Sequence, residues 1–133
     1  MNKQQAYNSF WSSFGVLAFE ENSAPAITDI KAIAKSASLP DDIYITYQVI
    51  IDDIDHSVYP TASIYSRSSS WEKADLLANA ISERIQKMNT IRLDEGRMFI
   101  TKGSPFSQHM AEEGDLSIRR IVLNLGIEFF TEY

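Results

Sequence analysis

Asp52, Asp53 and Asp55, followed by His56, are the densest grouping of side chains with metal-ligand chemistry in this chain. Three carboxylates so close together offer the hard oxygen donors that Ca²⁺ or Mg²⁺ takes, but such ions need several donors converging on one point. The stretch lacks the spacing of a helix–loop–helix calcium loop and its closing Glu, and residues 52–57 are equally the composition of a solvated turn. A small metal-dependent enzyme built on His56 and its acids therefore stands beside the plainer reading of a turn. His56 and His109 are the only histidines, and there is no cysteine. Thiolate zinc sites, disulfide frameworks and cysteine nucleophiles are excluded. A serine nucleophile would need one of those two histidines, yet no G-x-S-x-G elbow occurs, and in Gly103-Ser104-Pro105 a proline stands where a free backbone amide would be needed. The five glycines form neither a phosphate-cradling loop nor a dinucleotide fingerprint. Nothing singles out a carboxylate pair for glycoside hydrolysis. The expectation is a protein that is not an enzyme and that needs no cofactor.

The charge balance narrows the partners. Eighteen acids against twelve Lys and Arg give a net charge of −6. Residues 1–60 carry 8 acids and 3 bases (−5), and residues 61–133 carry 10 acids and 9 bases (−1). Tight nucleic-acid binding draws on clustered Lys and Arg that neutralise phosphates. The densest basic cluster is the pair Arg119-Arg120, so no specific nucleic-acid binding is expected. The longest apolar runs, such as residues 49–51 and 121–123, fall far short of the roughly 20 residues that span a bilayer. No membrane association and no secretory signal are expected.

The elements that must carry any site follow from periodicity. With 44% hydrophobic and 23% charged residues over 133 positions, the chain has the composition of one globular domain, residues 1–133. Tyr7, Phe10, Trp11 and Phe14 make one aromatic face of a helix over residues 2–14, with Gly15 as its terminator. That face packs into the core or meets a partner. Residues 16–19 read as a short extended piece. Residues 24–40 are hard to read, with Ile27, Ile30 and Ile33 suggesting a short helix or a loose excursion. From Ile43 the period becomes two, placing Ile43, Ile45, Tyr47, Val49 and Ile51 on the core face of a strand. A second strand spans residues 58–67, its start limited by Pro60. Ser70 caps a helix over residues 71–88, whose apolar stripe is Ala74, Leu77, Ile81, Ile85 and Met88. Strands over residues 90–93 and 97–101 flank the turn Asp94-Glu95-Gly96. Residues 103–114 read as a loop, and residues 116–130 as a long strand with Ile121, Leu123, Leu125, Ile127 and Phe129 on one face. Fifteen extended residues run about 50 Å, against a domain diameter of roughly 36 Å, so this strand must bend, for which Gly126 is the candidate, or reach past its own domain. Arg119 and Arg120 point to opposite faces of it. The sum is an α+β fold, a mainly antiparallel β-sheet with helices packed on one face.

Several stretches, taken in order, resemble one family. Ser66-Arg67-Ser68-Ser69-Ser70-Trp71, then Lys102 to Gln108 with its Gly-Ser-Pro-Phe core, then Ile118-Arg119-Arg120-Ile121, and Glu128-Phe129 in the last strand, are similar to the small tail-terminator or "minor capsid" neck proteins of long, non-contractile-tailed phages and prophages. The strand with Tyr44 and Tyr47 and the segment from Phe14 to Asn22 also fit, whereas residues 24–40 do not align. The resemblance implies a tail-terminator-like fold and a homo-oligomer, a hexameric ring that caps the finished tail tube. The ring would end polymerisation of the major tail-tube protein and present a surface to the head–tail connector protein. It implies a virion component of tail or neck, assembled in the host cytoplasm. A different neck component, a connector or completion protein, is the nearest alternative.

On that footing, Phe106, Gln108, His109 and Met110 in the 103–114 loop are the expected partner-binding residues, since apolar side chains on an exposed segment otherwise lack a purpose. Arg119, Arg120 and Glu128 are the expected subunit-interface residues. Asp52, Asp53 and Asp55 are expected to face a channel, because negative walls keep DNA from sticking.

Overall fold

The computed structural model describes residues 2–50, 57–67, 70–87, 90–110 and 118–131. Asp52, Asp53, Asp55 and His56 lie outside the described residues, as do Ile51, Met88 and residues 111–117.

The first helix, α1 (Lys3–Ser12), is set by a reciprocal cap: the Asn2 side chain accepts from the Gln5 N–H at 2.8 Å, and the Gln5 side chain accepts from the Asn2 N–H at 3.1 Å. Its face of Ala6, Tyr7, Phe10 and Trp11 is fully buried. The Trp11 ring stacks on Tyr47 at 5.9 Å and Tyr7 meets Tyr47 edge-on at 5.6 Å. The aromatic face is therefore core, not a partner stripe. Gly15 takes φ +76°, a conformation open to glycine at little cost, and turns the chain into strand β1 (Leu17–Glu20).

Residues 24–40, where the spacing of Ile27, Ile30 and Ile33 only suggests a short helix, contain helix α2 (Ile27–Ala37). It ends with Ser38 at φ 56° while the Leu39 N–H bonds the Ala34 carbonyl at 2.9 Å, a left-handed helix stop made without glycine. Strand β2 (Ile43–Tyr47) follows. Pro60 then splits the expected second strand into β3 (Ser57–Val58) and β4 (Thr61–Ser66). The Ser70 hydroxyl accepts from the Glu72 N–H at the start of α3 (Glu72–Lys87), which buries Ala74, Leu77, Ala78, Ile81 and Ile85. The hairpin β5 (Thr90–Leu93) and β6 (Gly96–Met110) leads to β7 (Arg119–Thr131).

The sheet order is β1-β2-β4-β7-β6-β5, with β3 also on β7. Only β1–β2 is parallel; the remaining pairs are antiparallel. The fold is α+β, as expected, around a mixed sheet. One face, carrying Ile43, Ile45, Ala62, Ile64, Met98, Ile100 and the five alternate apolar residues of β7, packs under α1 and α3. The third helix departs from the one-face expectation. Leu17 with Ile30 and Ala34, joined by Phe19, Leu39 and Tyr44, forms a separate small core. Leu17 is the register partner of Tyr44, whose neighbours Ile43 and Ile45 point to the main core, so α2 covers the opposite face at the β1–β2 end.

The expected 103–114 loop is strand up to Met110. Gly103 and Pro105 break the sequence pattern without ending the strand. Lys102 pairs with Leu125 and Ser107 with Leu123, so residues 103–106 bulge opposite Asn124 alone. Within the bulge the Ser104–Pro105 bond is cis. The Asn124 side-chain amide donates to the Pro105 carbonyl at 2.9 Å, and a Cβ on Gly103 would lie 2.8 Å from Asn124 Cβ. The interruption thus falls in β6, while Gly126 keeps its place opposite Thr101.

Candidate functional site

The four candidates for partner contact share one strand but not one surface. In β6, His109 pairs with Ile121 and Ser107 with Leu123, on the face under α1 and α3, whereas Gln108 pairs with Val122 and Met110 with Arg120 on the other face. His109 is already engaged. Its imidazole stacks on the Trp71 indole at 3.7 Å and 3°, and its Nε2 lies 2.8 Å from Asp75 Oδ1. Arg119 sits with its guanidinium 5.7 Å from the same indole. These contacts lash the end of β6 and the start of β7 to the first turn of α3. Phe106 is half-buried against the main core, with the Lys102 ammonium 5.8 Å from its ring. Gln108 and Met110 are exposed, Met110 at 41%.

Arg119 and Arg120 do point to opposite faces, as the alternation of a strand requires. On the face away from α1 and α3, a row crosses four strands in register: Tyr44, Tyr65, Arg120 and Met110. Tyr44 and Tyr65 stack at 5.1 Å, and the Arg120 guanidinium lies 5.4 Å from the Tyr65 ring. Arg120 also donates to the buried Ser63 hydroxyl from Nε and Nη2, each at 3.2 Å. This holds a cation over an aromatic surface, a geometry suited to protein contact.

Glu128 shares this face but stands eight residues further along β7, about 26 Å away. It accepts from the Ser57 hydroxyl at 2.9 Å and pairs in register with Phe99. Near it, Phe99 and Phe130 meet edge-on at 5.1 Å, and Phe130 and Tyr59 are exposed at 48% and 72%. The three interface candidates are therefore not brought together: Arg119 lies against Trp71, just before α3, and Arg120 and Glu128 mark two ends of one sheet face.

Among the described residues no group of three His, Cys, Asp or Glu could hold a metal ion, and no helix is long and apolar enough to cross a membrane. Burial pushes the Tyr7 phenol far above its usual range, while its hydroxyl donates to the Gln48 carbonyl at 2.8 Å. Tyr47 is raised as well, by burial and then by the Glu20 carboxylate. Both are neutral core phenols that tie α1 to the sheet.

No sequence-family profile matches the chain, and no curated protein matches it in sequence. Its shape does have a counterpart. A chain from the virion of a native gene transfer agent particle superposes with a TM-score of 0.61 at 12% identity, over 96% of this chain and 94% of that one. At that identity the likeness is one of fold.

Two features escaped sequence reasoning. The Tyr44–Tyr65–Arg120–Met110 row has a signal in the tyrosines at polar-face positions of the strands, but it needs the register to become visible. The Trp71–His109–Asp75 contact joins residues 34 to 38 positions apart and has no local signal.

Proposed function

We propose that this chain is a structural component of a tailed, phage-like particle. It caps the tail tube as a homo-oligomeric ring of six, ends polymerisation of the tube protein and offers the surface on which the head connector docks. The reading rests on the near full-length likeness in fold to a chain of a gene transfer agent virion. The ordered resemblance of its sequence to tail-terminator proteins points the same way. In this role the chain works by contact, with no catalytic residue. Gln108, Met110 and Arg120 on the sheet face away from α1 and α3 meet a partner, and Glu128 with Phe130 extends that surface. Asp52, Asp53 and Asp55 rim the channel, where like charge keeps passing DNA from adhering.

The test is location. Tailed particles carrying a gold-labelled copy of the chain are expected to show one label cluster at the head-proximal end of the tail. Label on the connector side of the joint would move the assignment to another neck component. Particles that contain none of the chain would overturn the reading.

A further inference from the structure

Among the described residues the sheet ends in two edges without a strand partner. At one end, no described strand pairs with the outer side of β1, a four-residue strand. At the other end, β5 covers β6 only along Gly96 to Phe99. From Ile100 to Met110 the outer side of β6 has no strand partner among the described residues. The bulge divides this stretch and leaves residues 107–110 as a straight run, held from within by β7 at Arg120 to Leu123. A bare edge of this kind offers a row of backbone N–H and C=O groups to another strand, and residues 107–110 contain no proline to blunt it.

Direction, side-chain facing and charge agree on the occupant. Following the sheet from β1 through β2, β4 and β7, β6 runs antiparallel to β1. A second copy turned about an axis along the strands therefore presents its β1 antiparallel to this β6. In β1, Leu17 and Phe19 face the α2 side, and Ala18 faces the main core, with Glu20 on that same side. In β6, Gln108 and Met110 share the α2 side, and Ser107 and His109 the other. Setting Leu17 against Met110, Phe19 against Gln108 and Glu20 against Ser107 matches every facing at once. The same setting brings the Glu20 carboxylate toward Lys102, whose ammonium is held on that face by Ser82 at 3.0 Å.

We infer that the β1 edge of one copy adds to residues 107–110 of β6 in the next, so that the sheet runs on from subunit to subunit. The inference rests on the proposed ring and names the contact that builds it. Because the two edges differ, the association is head-to-tail, and it makes a ring where the rotation between copies closes. Five strands at about 4.8 Å spacing give about 24 Å of circumference per copy, so six copies close at about 46 Å across the backbone.

The chain has no cysteine, so a Glu20→Cys/Ser107→Cys double variant of the full chain reports this contact without background. At high concentration under mild oxidation it is expected to give a ladder of covalent multimers ending at the ring, while each single variant stays uncoupled. Oligomers seen by light scattering without a ladder would overturn the edge contact and leave the ring reading standing. A covalent dimer from Ser107→Cys alone would also overturn it, since it means β6 meets β6. A chain that stays monomeric at every concentration would overturn it too, and location in the particle then judges the ring reading separately.

Discussion

Gly103→Ala tests how β6 is held where it leaves the regular ladder. The new Cβ would lie 2.8 Å from Asn124 Cβ and 3.0 Å from the Asn124 carbonyl carbon and oxygen. Carbon atoms prefer roughly 3.5–4.0 Å, so β6 and β7 must part by about 0.7 Å. Two of the three obstructing atoms are backbone, and no rotamer change relieves them. Forced separation of packed elements costs about 1–3 kcal/mol. Losing the bond from Asn124 to the Pro105 carbonyl adds about 0.5–1.5 kcal/mol. The expected total is about 2–4 kcal/mol, a fall in Tm of roughly 7–14 °C for a domain of this size. Thermal unfolding followed by circular dichroism reads it, with Ser104→Ala, exposed on the same bulge, expected within about 0.5 kcal/mol of the parent. A Gly103→Ala protein melting within about 2 °C of the parent would refute the close approach of the two strands.

Further substitutions probe other parts of the fold. Ser38→Gly relieves a left-handed residue at the end of α2 and is expected to stabilise by about 1 kcal/mol in urea titrations; a loss of stability would show that the serine side chain is needed there. Ser66 is fully buried, and its hydroxyl has no partner among the described residues. Ser66→Ala is therefore expected to hold or raise stability by up to about 1 kcal/mol, and a drop beyond that would reveal a partner. The Tyr7 phenol sits above its ordinary value of 10.0 in the folded chain because it is buried. Above pH 10 the unfolded chain gives up this proton while the folded one keeps it, so stability is complete below pH 10 and falls as pH rises beyond it. Tyr7→Phe is expected to cost about 1 kcal/mol at pH 7, through the orphaned Gln48 carbonyl. It should also flatten the decline between pH 10 and 11.5 in pH-resolved urea unfolding, where an unchanged slope would contradict the assignment.

Much of the fold was legible because burial on one face of a regular element writes its own period. The alternate apolar residues of β7, from Ile121 to Phe129, and the stripe of α3, from Ala74 to Ile85, are buried as their spacing requires. Helix α2 was obscure because only Ile30 and Ala34 are described as buried on it, and Ile33 faces outward at 39%. Two residues do not make a period. The β6 bulge reads as loop because Gly103 and Pro105 carry turn chemistry, while the ladder resumes at Ser107 with the register shifted by three, past Asn124, which lies 19 positions from Pro105. The candidate surface was less legible than the fold. Strand alternation correctly sent Arg119 and Arg120 to opposite faces, but His109 was absorbed by Trp71 and Asp75, contacts that only the tertiary packing creates.

The central claim is that this molecule acts by capping a growing protein tube. It is tested most directly by polymerising the tube protein in vitro and measuring tube lengths by electron microscopy, with and without this chain. Elongation is expected to stop once the chain is added, with a ring-shaped density at one tube end. Tubes that keep lengthening at the same rate, with both ends bare, would contradict the account.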